Sequence, residues 1–253
     1  MTDILSWIRL AGPFLVGHRG FPRAARENTV PSFEAALESG CDGVELDVRL
    51  TRDGILVVHH DERAIHEKGS LLVEESDWES LRGERFRAGS EEYGIPRLDA
   101  VLRAISGRCL LNVEVKPPAK ERTLALAAAV SAALDRVRPR ESVLVSSFDV
   151  ELLGVLRRQE KALLLGFLFS SLRDFNHLEE SEVADSLAAI HPRHDLVDEG
   201  LMGRARDRGL DVHAWTVDDP QEVRRVVGLG VTSVITNRPD LCGPVLFEGL
   251  PPE

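Results

Sequence analysis

Long apolar runs, paired cysteines and surplus cations are what this 253-residue chain lacks, and each absence closes a class of reading. The longest apolar stretch, residues 162–169, is far too short to span a bilayer, so no stable membrane association is expected. The N-terminus MTDILSWIRLAGPFL has no basic n-region, and Asp3 and Arg9 interrupt its apolar character; no secretory leader is expected. Cys41, Cys109 and Cys242 lie far apart and form no CxxC, which removes a disulfide framework and a zinc signature and suits a reducing, cytoplasmic setting. With 31 Lys and Arg against 42 Asp and Glu, the net charge of −11 argues against nucleic acid as a partner. A small anionic substrate remains compatible, because it feels the local field of its site. No G-x-G-x-x-G follows the first apolar strand, so the main support for a dinucleotide fold is missing. Repeats and low-complexity linkers are absent too, and residues 1–253 read as one domain of unstated oligomeric state.

What is present is alternation. Strands are expected at residues 14–17, 43–50, 109–116, 142–148, 163–169, 187–191, 210–217 and 232–236, with helices between most of them, as at 98–105, 121–137 and 150–159. Asn28 or Thr29 caps the first helix, which has Pro31 in its first turn and stops at Gly40. Eight strands alternating with helices imply an α/β fold with a parallel sheet. At this length a closed (β/α)8 TIM barrel is favoured over an open sheet. Residues 62–95, charged and with little periodicity, read as a short insertion over the barrel mouth, and residues 4–10 as a short amphipathic turn plugging its bottom.

The stretch GVELDVRLTRDGILVVHHD, residues 43–61, carries the first chemical signal. Val44, Leu46, Val48 and Leu50 share one strand face; Glu45, Asp47 and Arg49 share the other. Asp53-Gly54 predicts a two-residue hairpin turn, which would pair Asp47 with His60 and turn His59 away, packed under a helix. The strand LLNVEVK repeats the split, with Asn112, Glu114 and Lys116 on one face. Fully buried parallel strands normally read as continuous apolar runs, so both strands point polar groups into the barrel.

Three inward carboxylates, Glu45, Asp47 and Glu114, would repel one another unless something positive lies between them. One acid could simply pair with a neighbour, as Asp47 with Arg49; three at alternating positions beside two histidines call for more. One divalent cation, Mg²⁺ or Ca²⁺, suits this oxygen-rich, thiolate-free set. His18 and His60, at strand ends, are the candidate acid and base for cleaving a phosphodiester. Arg19 and Lys116 are candidates for holding its phosphate oxygens. Lys116 is one of only four lysines, against 27 arginines, and sits in a buried strand. Phe148 and Trp215 read as apolar walls of the mouth. His191 and His213 read as structural more readily than as pocket residues.

Taken together, HRG, ENT with Ser32 and Phe33, GVELDVRLTRDGILVVHHD, NVEVKP, SSFD, HAWTV and GVTSVITNRPD resemble the glycerophosphodiester phosphodiesterase family, over His18 to Asp240. The resemblance implies a TIM barrel that hydrolyses glycerophosphodiesters, as small-molecule substrates, to glycerol 3-phosphate and an alcohol with a divalent metal. It implies His18 and His60 as the acid/base pair, Glu45, Asp47 and Glu114 as metal ligands, and Arg19 and Lys116 at the phosphate. The chain departs from the family at residues 62–68, where many members carry a Leu-x-Arg-Thr-Thr-like run. An alternative with the same machinery is a lysophospholipase D-like enzyme; one of another class is a non-catalytic metal-binding barrel, which would predict the loss of at least one of these site residues.

Overall fold

The computed structural model describes residues 12–66, 69–83, 85–88, 91–135, 137 and 142–246. The amphipathic turn expected at residues 4–10 lies outside them. In chain order the strands are β1 (Phe14–Gly17), β2 (Gly43–Leu50), β3 (Leu56–Val58), β4 (Arg63–His66), β5 (Gly69–Leu72), β6 (Phe86–Ala88), β7 (Glu91–Tyr93), β8 (Leu110–Val115), β9 (Val143–Ser147), β10 (Leu164–Phe169), β11 (Ala189–Pro192), β12 (Asp211–Ala214) and β13 (Ser233–Thr236). The helices are α1 (Val30–Glu38), α2 (Trp78–Gly83), α3 (Leu98–Ile105), α4 (Thr123–Leu134), α5 (Val150–Gln159), α6 (Leu172–Glu179), α7 (Glu199–Asp207), α8 (Pro220–Gly228) and α9 (Pro239–Leu246).

β1, β2 and β8–β13 pair in parallel, and contacts of β1 with both β2 and β13 close them into a (β/α)8 TIM barrel. Apolar side chains at alternate strand positions, such as Val44, Leu46, Leu111 and Val113, pack outward into one core beneath the helices. Several helices start on a side-chain cap: Asp149 accepts from the Leu152 amide at 2.9 Å and Asp198 from the Leu201 amide at 2.7 Å. α1 behaves otherwise. Thr29 stands at its N-cap without a side-chain cap bond, and its hydroxyl donates to the Arg26 carbonyl instead.

The hairpin register differs from the sequence expectation by one residue. β2 and β3 pair Leu50 with Leu56 and Val48 with Val58, so Asp47 stands opposite His59, whose amide donates to its carbonyl at 3.0 Å. A type I′ turn needs positive φ at both central residues, and here only Gly54 has it, at 82°. Thr51 closes a wider loop instead: its amide donates to the Ile55 carbonyl, and its hydroxyl to Asp53 at 2.6 Å.

Residues 62–95 form more than an irregular insertion. β5, β4, β6 and β7 make a small antiparallel sheet, and α2 packs beside it. Val57, Ala64, Val73, Leu81 and Ile95 form a second core there, separate from that of the barrel. Strands this short, broken by glycine and charge, carry no readable period. Arg122 ties the barrel to this sheet by donating to the carbonyls of Thr51, at 2.6 Å, and Glu74, at 3.2 Å.

Candidate active site

The strands bring their inward polar side chains together at the mouth. Register pairs Asp47 with Glu114 and Glu45 with Asn112, and partners in register share a sheet face. Glu45, Asp47 and Glu114 are all buried, each offering an oxygen within 4.8 Å of the others.

Behind them, the loop after β1 is held under strain. Arg19 and Asn28 have φ of 55° and 58°, a region that non-glycine residues seldom occupy. The Asn28 amide and the Ser32 hydroxyl both donate to the Arg19 carbonyl at 3.0 Å, and the Arg19 amide donates to Glu45 Oε2 at 2.9 Å. That conformation lets Asn28 grip Asp47 twice: Nδ2 donates to Oδ2 at 2.8 Å, and Oδ1 accepts from the Asp47 amide at 3.1 Å. Asn28 therefore serves the site rather than the helix. Its signal, a polar residue before a proline-led helix, is the same for both roles.

Two cations oppose three acids. Arg19 Nε lies 3.1 Å from Asp47 Oδ2, and its Nη1 donates to Glu27 at 3.3 Å. Lys116 Nζ is 2.8 Å from Asp47 Oδ1 and donates to Glu114 Oε1. Burial pushes the Glu45 carboxyl well above its ordinary pKa, and the charges of Asp47 and Glu114 add to this. Burial acts on Asp47 in the same sense, but Lys116 and Arg19 outweigh it and hold its carboxyl at about 2. Glu114 is raised by burial and then by Asp47, against the pull of Lys116. Burial disfavours the charge on Lys116, yet Asp47 and Glu114 outweigh it and keep the ammonium firmly protonated. Arg49 makes no ion pair with Asp47; its Nε donates to the His60 carbonyl at 2.8 Å.

Both cations turn to Asp47, and Glu45 Oε1 is buried without a hydrogen-bond partner among the described residues. An orphaned carboxylate oxygen in an all-oxygen donor set fits a hard divalent cation.

His18 follows β1. Its Nδ1 lies 2.8 Å from Asn237 Oδ1, and its Nε2 faces Glu45 Oε2 at 3.8 Å. Burial, and then the Arg19 charge, lower its pKa to about 4. His60 is more open. Its Nδ1 is 2.8 Å from Asp61 Oδ1, and it lies close enough to Asp47 and Glu114 to act on both electrostatically. Because β3 ends at Val58, strand alternation no longer governs His59 and His60. His59 is buried toward the insertion, Nε2 at 3.4 Å from the Arg63 carbonyl, rather than under a helix.

Phe148 and Trp215 meet edge to face, centroids 5.5 Å apart, and Trp215 Nε1 donates to the His191 carbonyl at 2.7 Å. His191 and His213 line a cavity of about 60 Å³ with Asn112, Asp211, Phe14 and Leu164, which Glu45, Asp47 and Glu114 do not border. A larger cleft of about 860 Å³ runs between the insertion and the loop after β8, bordered by Arg49, Glu62, Glu74, Lys116 and Arg122. It adjoins the carboxylates through Lys116 and does not contain them.

Known proteins share this arrangement of chain. The sequence profile of the glycerophosphoryl diester phosphodiesterase family matches residues 18–241. A glycerophosphodiester phosphodiesterase of Caldanaerobacter subterraneus subsp. tengcongensis is 30% identical over 243 residues, covering 89% of this chain and 94% of that one. One from Bacillus altitudinis is 31% identical over 245 residues, covering 89% and 95%. Among solved structures, an Oleispira antarctica phosphodiesterase in complex with the product sn-glycerol-3-phosphate superposes with a TM-score of 0.81 at 25% identity, covering 94% of this chain and 98% of that one.

Proposed function

The chain belongs to the glycerophosphoryl diester phosphodiesterase family, and from that premise we propose that it hydrolyses glycerophosphodiesters to glycerol 3-phosphate and an alcohol by metal-dependent, two-histidine chemistry. The observation that carries the proposal is the buried set Glu45, Asp47 and Glu114, flanked by His18 and His60 at the ends of β1 and β3.

In this reading Glu45, Asp47 and Glu114 hold the divalent cation. When bound, such an ion polarises the phosphoryl group and lowers the pKa of a hydroxyl or water beside it. The residues of the chain supply the rest. Lys116, held between Asp47 and Glu114, and Arg19, braced by Asp47 and Glu27, present positive charge to the non-bridging phosphate oxygens. His18 and His60 divide the proton transfers: one takes the proton of the attacking oxygen, the other protonates the departing alcohol. Asp61 orients His60 through its Nδ1. Phe148 and Trp215 give the carbon skeleton of the substrate an apolar wall. The free thiols Cys41, Cys109 and Cys242 favour a cytoplasmic setting, and no helix among the described residues is long and apolar enough to cross a membrane.

The test is a product assay on glycerophosphocholine, glycerophosphoethanolamine and lysophosphatidylcholine, with and without EDTA. Release of glycerol 3-phosphate that EDTA abolishes is expected. Release that EDTA does not touch removes the metal, and turnover of lysophosphatidylcholine alone transfers the site to the lysophospholipase D-like reading.

A further inference from the structure

We propose that Asp218 and Asn237 are positioning residues that decide which ring nitrogen of His18 carries the proton; the inference rests on the proton-transfer role given to His18 above. The two come from HAWTVDD and ITNRPD, and neither has been given a part in the reaction so far. The loops after β12 and β13 bring them to the end of β1.

The argument is one of hydrogen-bond polarity. Asn237 Oδ1 lies 2.8 Å from His18 Nδ1. An amide has a donor end and an acceptor end of nearly equal shape, so its other contacts decide which end faces the imidazole. Asn237 Nδ2 donates to Asp218 Oδ2 at 2.9 Å, and the Asn237 backbone amide donates to Asp218 Oδ1 at 2.8 Å. The Thr236 hydroxyl also donates to Oδ1, at 3.0 Å. An ionised carboxylate only accepts, so the NH₂ end of Asn237 must face Asp218 and its oxygen must face His18. An oxygen that cannot donate requires Nδ1 to carry the hydrogen. Nε2 is then left with its lone pair, on the side facing the carboxylates. Its 3.8 Å distance from Glu45 Oε2 is too long for a hydrogen bond that would favour the other tautomer. Asp218 is exposed, and water weakens its charge, but screening does not reverse donor and acceptor.

Asp218→Asn tests this with almost no change of shape. The new amide can still accept from the Asn237 backbone, but its NH₂ now opposes the NH₂ of Asn237. Asn237 must turn, offer its own NH₂ to His18, and move the ring proton to Nε2. The expected result is a fall of about 10²-fold in kcat with KM within about threefold. Long-range ¹H–¹⁵N spectra should show Nδ1 protonated in the wild type and Nε2 in the variant. The exchanged pair Asp218→Asn/Asn237→Asp puts an acceptor back against Nδ1 and should return kcat to within about tenfold of wild type. A merely structural role predicts no such return. Protonation at Nε2 in the wild type, or an exchanged pair no faster than Asp218→Asn, overturns the proposal. Should Asp218→Asn not fold by circular dichroism, Asn237→Ala must show the same loss of turnover; wild-type turnover in folded Asn237→Ala overturns the proposal equally. If the wild type releases no glycerol 3-phosphate, the hydrolase reading fails separately, and the ring-nitrogen spectra still decide the tautomer.

Discussion

The barrel interior holds two sets of buried polar side chains, and they meet the cost of burial in opposite ways. At the mouth, Glu45, Asp47 and Glu114 lie among Lys116, Arg19 and His18. Deeper in, the rings of His191 and His213 meet at a tilt with centroids 4.8 Å apart, and burial acts on both. The deep pair sheds its charge: burial, and for His191 also the neighbouring His213, drives both pKa values below 6.5, His213 to about 4. The mouth set keeps charge on Asp47, Lys116 and Arg19. Its cations hold Asp47 down at about 2, while burial and the neighbouring Asp47 and Glu114 push Glu45 well up, and Glu45 Oε1 has no hydrogen-bond partner among the described residues. Neutral burial is a packing solution. Charge retained in the interior at such a cost points to chemistry.

The largest expected effect falls on the mouth alone. Glu114→Gln keeps the shape and removes one of three anionic oxygens, leaving Lys116 without half of its partners. Turnover should fall by at least about 10³-fold, and titration calorimetry with Mg²⁺ or Ca²⁺ should show weakened binding. Calorimetry unchanged from wild type would break the contrast, because both clusters would then be structural. Asn28→Ala probes the same cluster one layer back. It deletes both hydrogen bonds to Asp47 and should cost about 10–100-fold in metal affinity or kcat. An effect on Tm without either would move Asn28 to a structural role.

How much of this contrast the sequence discloses depends on what fixes each residue. Alternation along GVELDVRL and LLNVEV puts Glu45, Asp47 and Glu114 on the face opposite Val44, Leu46, Val113 and Val115, and these apolar residues pack under the helices. It gives a face, though, and not a depth, so His191 and His213 look as near to the mouth as Glu114 does. The Asp47–His60 pairing fails because Asp-Gly is compatible with more than one turn, and Thr51 selects the wider one. His60, after the strand has ended, still lies close enough to Asp47 and Glu114 to act on both electrostatically. Asn28 and Asn237 owe their roles to a positive φ and to a carboxylate 19 residues away in sequence, neither of which local pattern encodes.

Effects confined to the deep set should spare catalysis. Gly166 leaves room for His191: a Cβ there would stand 2.5 Å from Nε2 and 2.8 Å from Cδ2. His191 is fully buried against His213 and has little freedom to retreat. Gly166→Ala should therefore destabilise by roughly 1–3 kcal/mol in urea unfolding while kcat stays within about twofold. A kcat loss matching that of Glu114→Gln would mean that the two clusters are coupled.

The smallest effect is a slope. Between pH 6.5 and about 4 the unfolded chain protonates His213, whereas the folded protein, holding that ring neutral, does not. The unfolded state binds the extra proton, so this contribution to stability is complete above pH 6.5 and is lost as the pH falls toward 4. His213→Gln retains a polar partner for Ser233 Oγ, 2.6 Å from Nδ1, but does not titrate. Unfolding free energy measured from about pH 4.5 to 6 should then depend on pH less steeply than in wild type, by about 1.4 kcal/mol per pH unit. His191 titrates in the same sense and remains in the variant, so the slope should be reduced and not abolished. An unchanged slope would show that His213 takes its proton in the folded state, and the deep cluster would then hold charge as the mouth does.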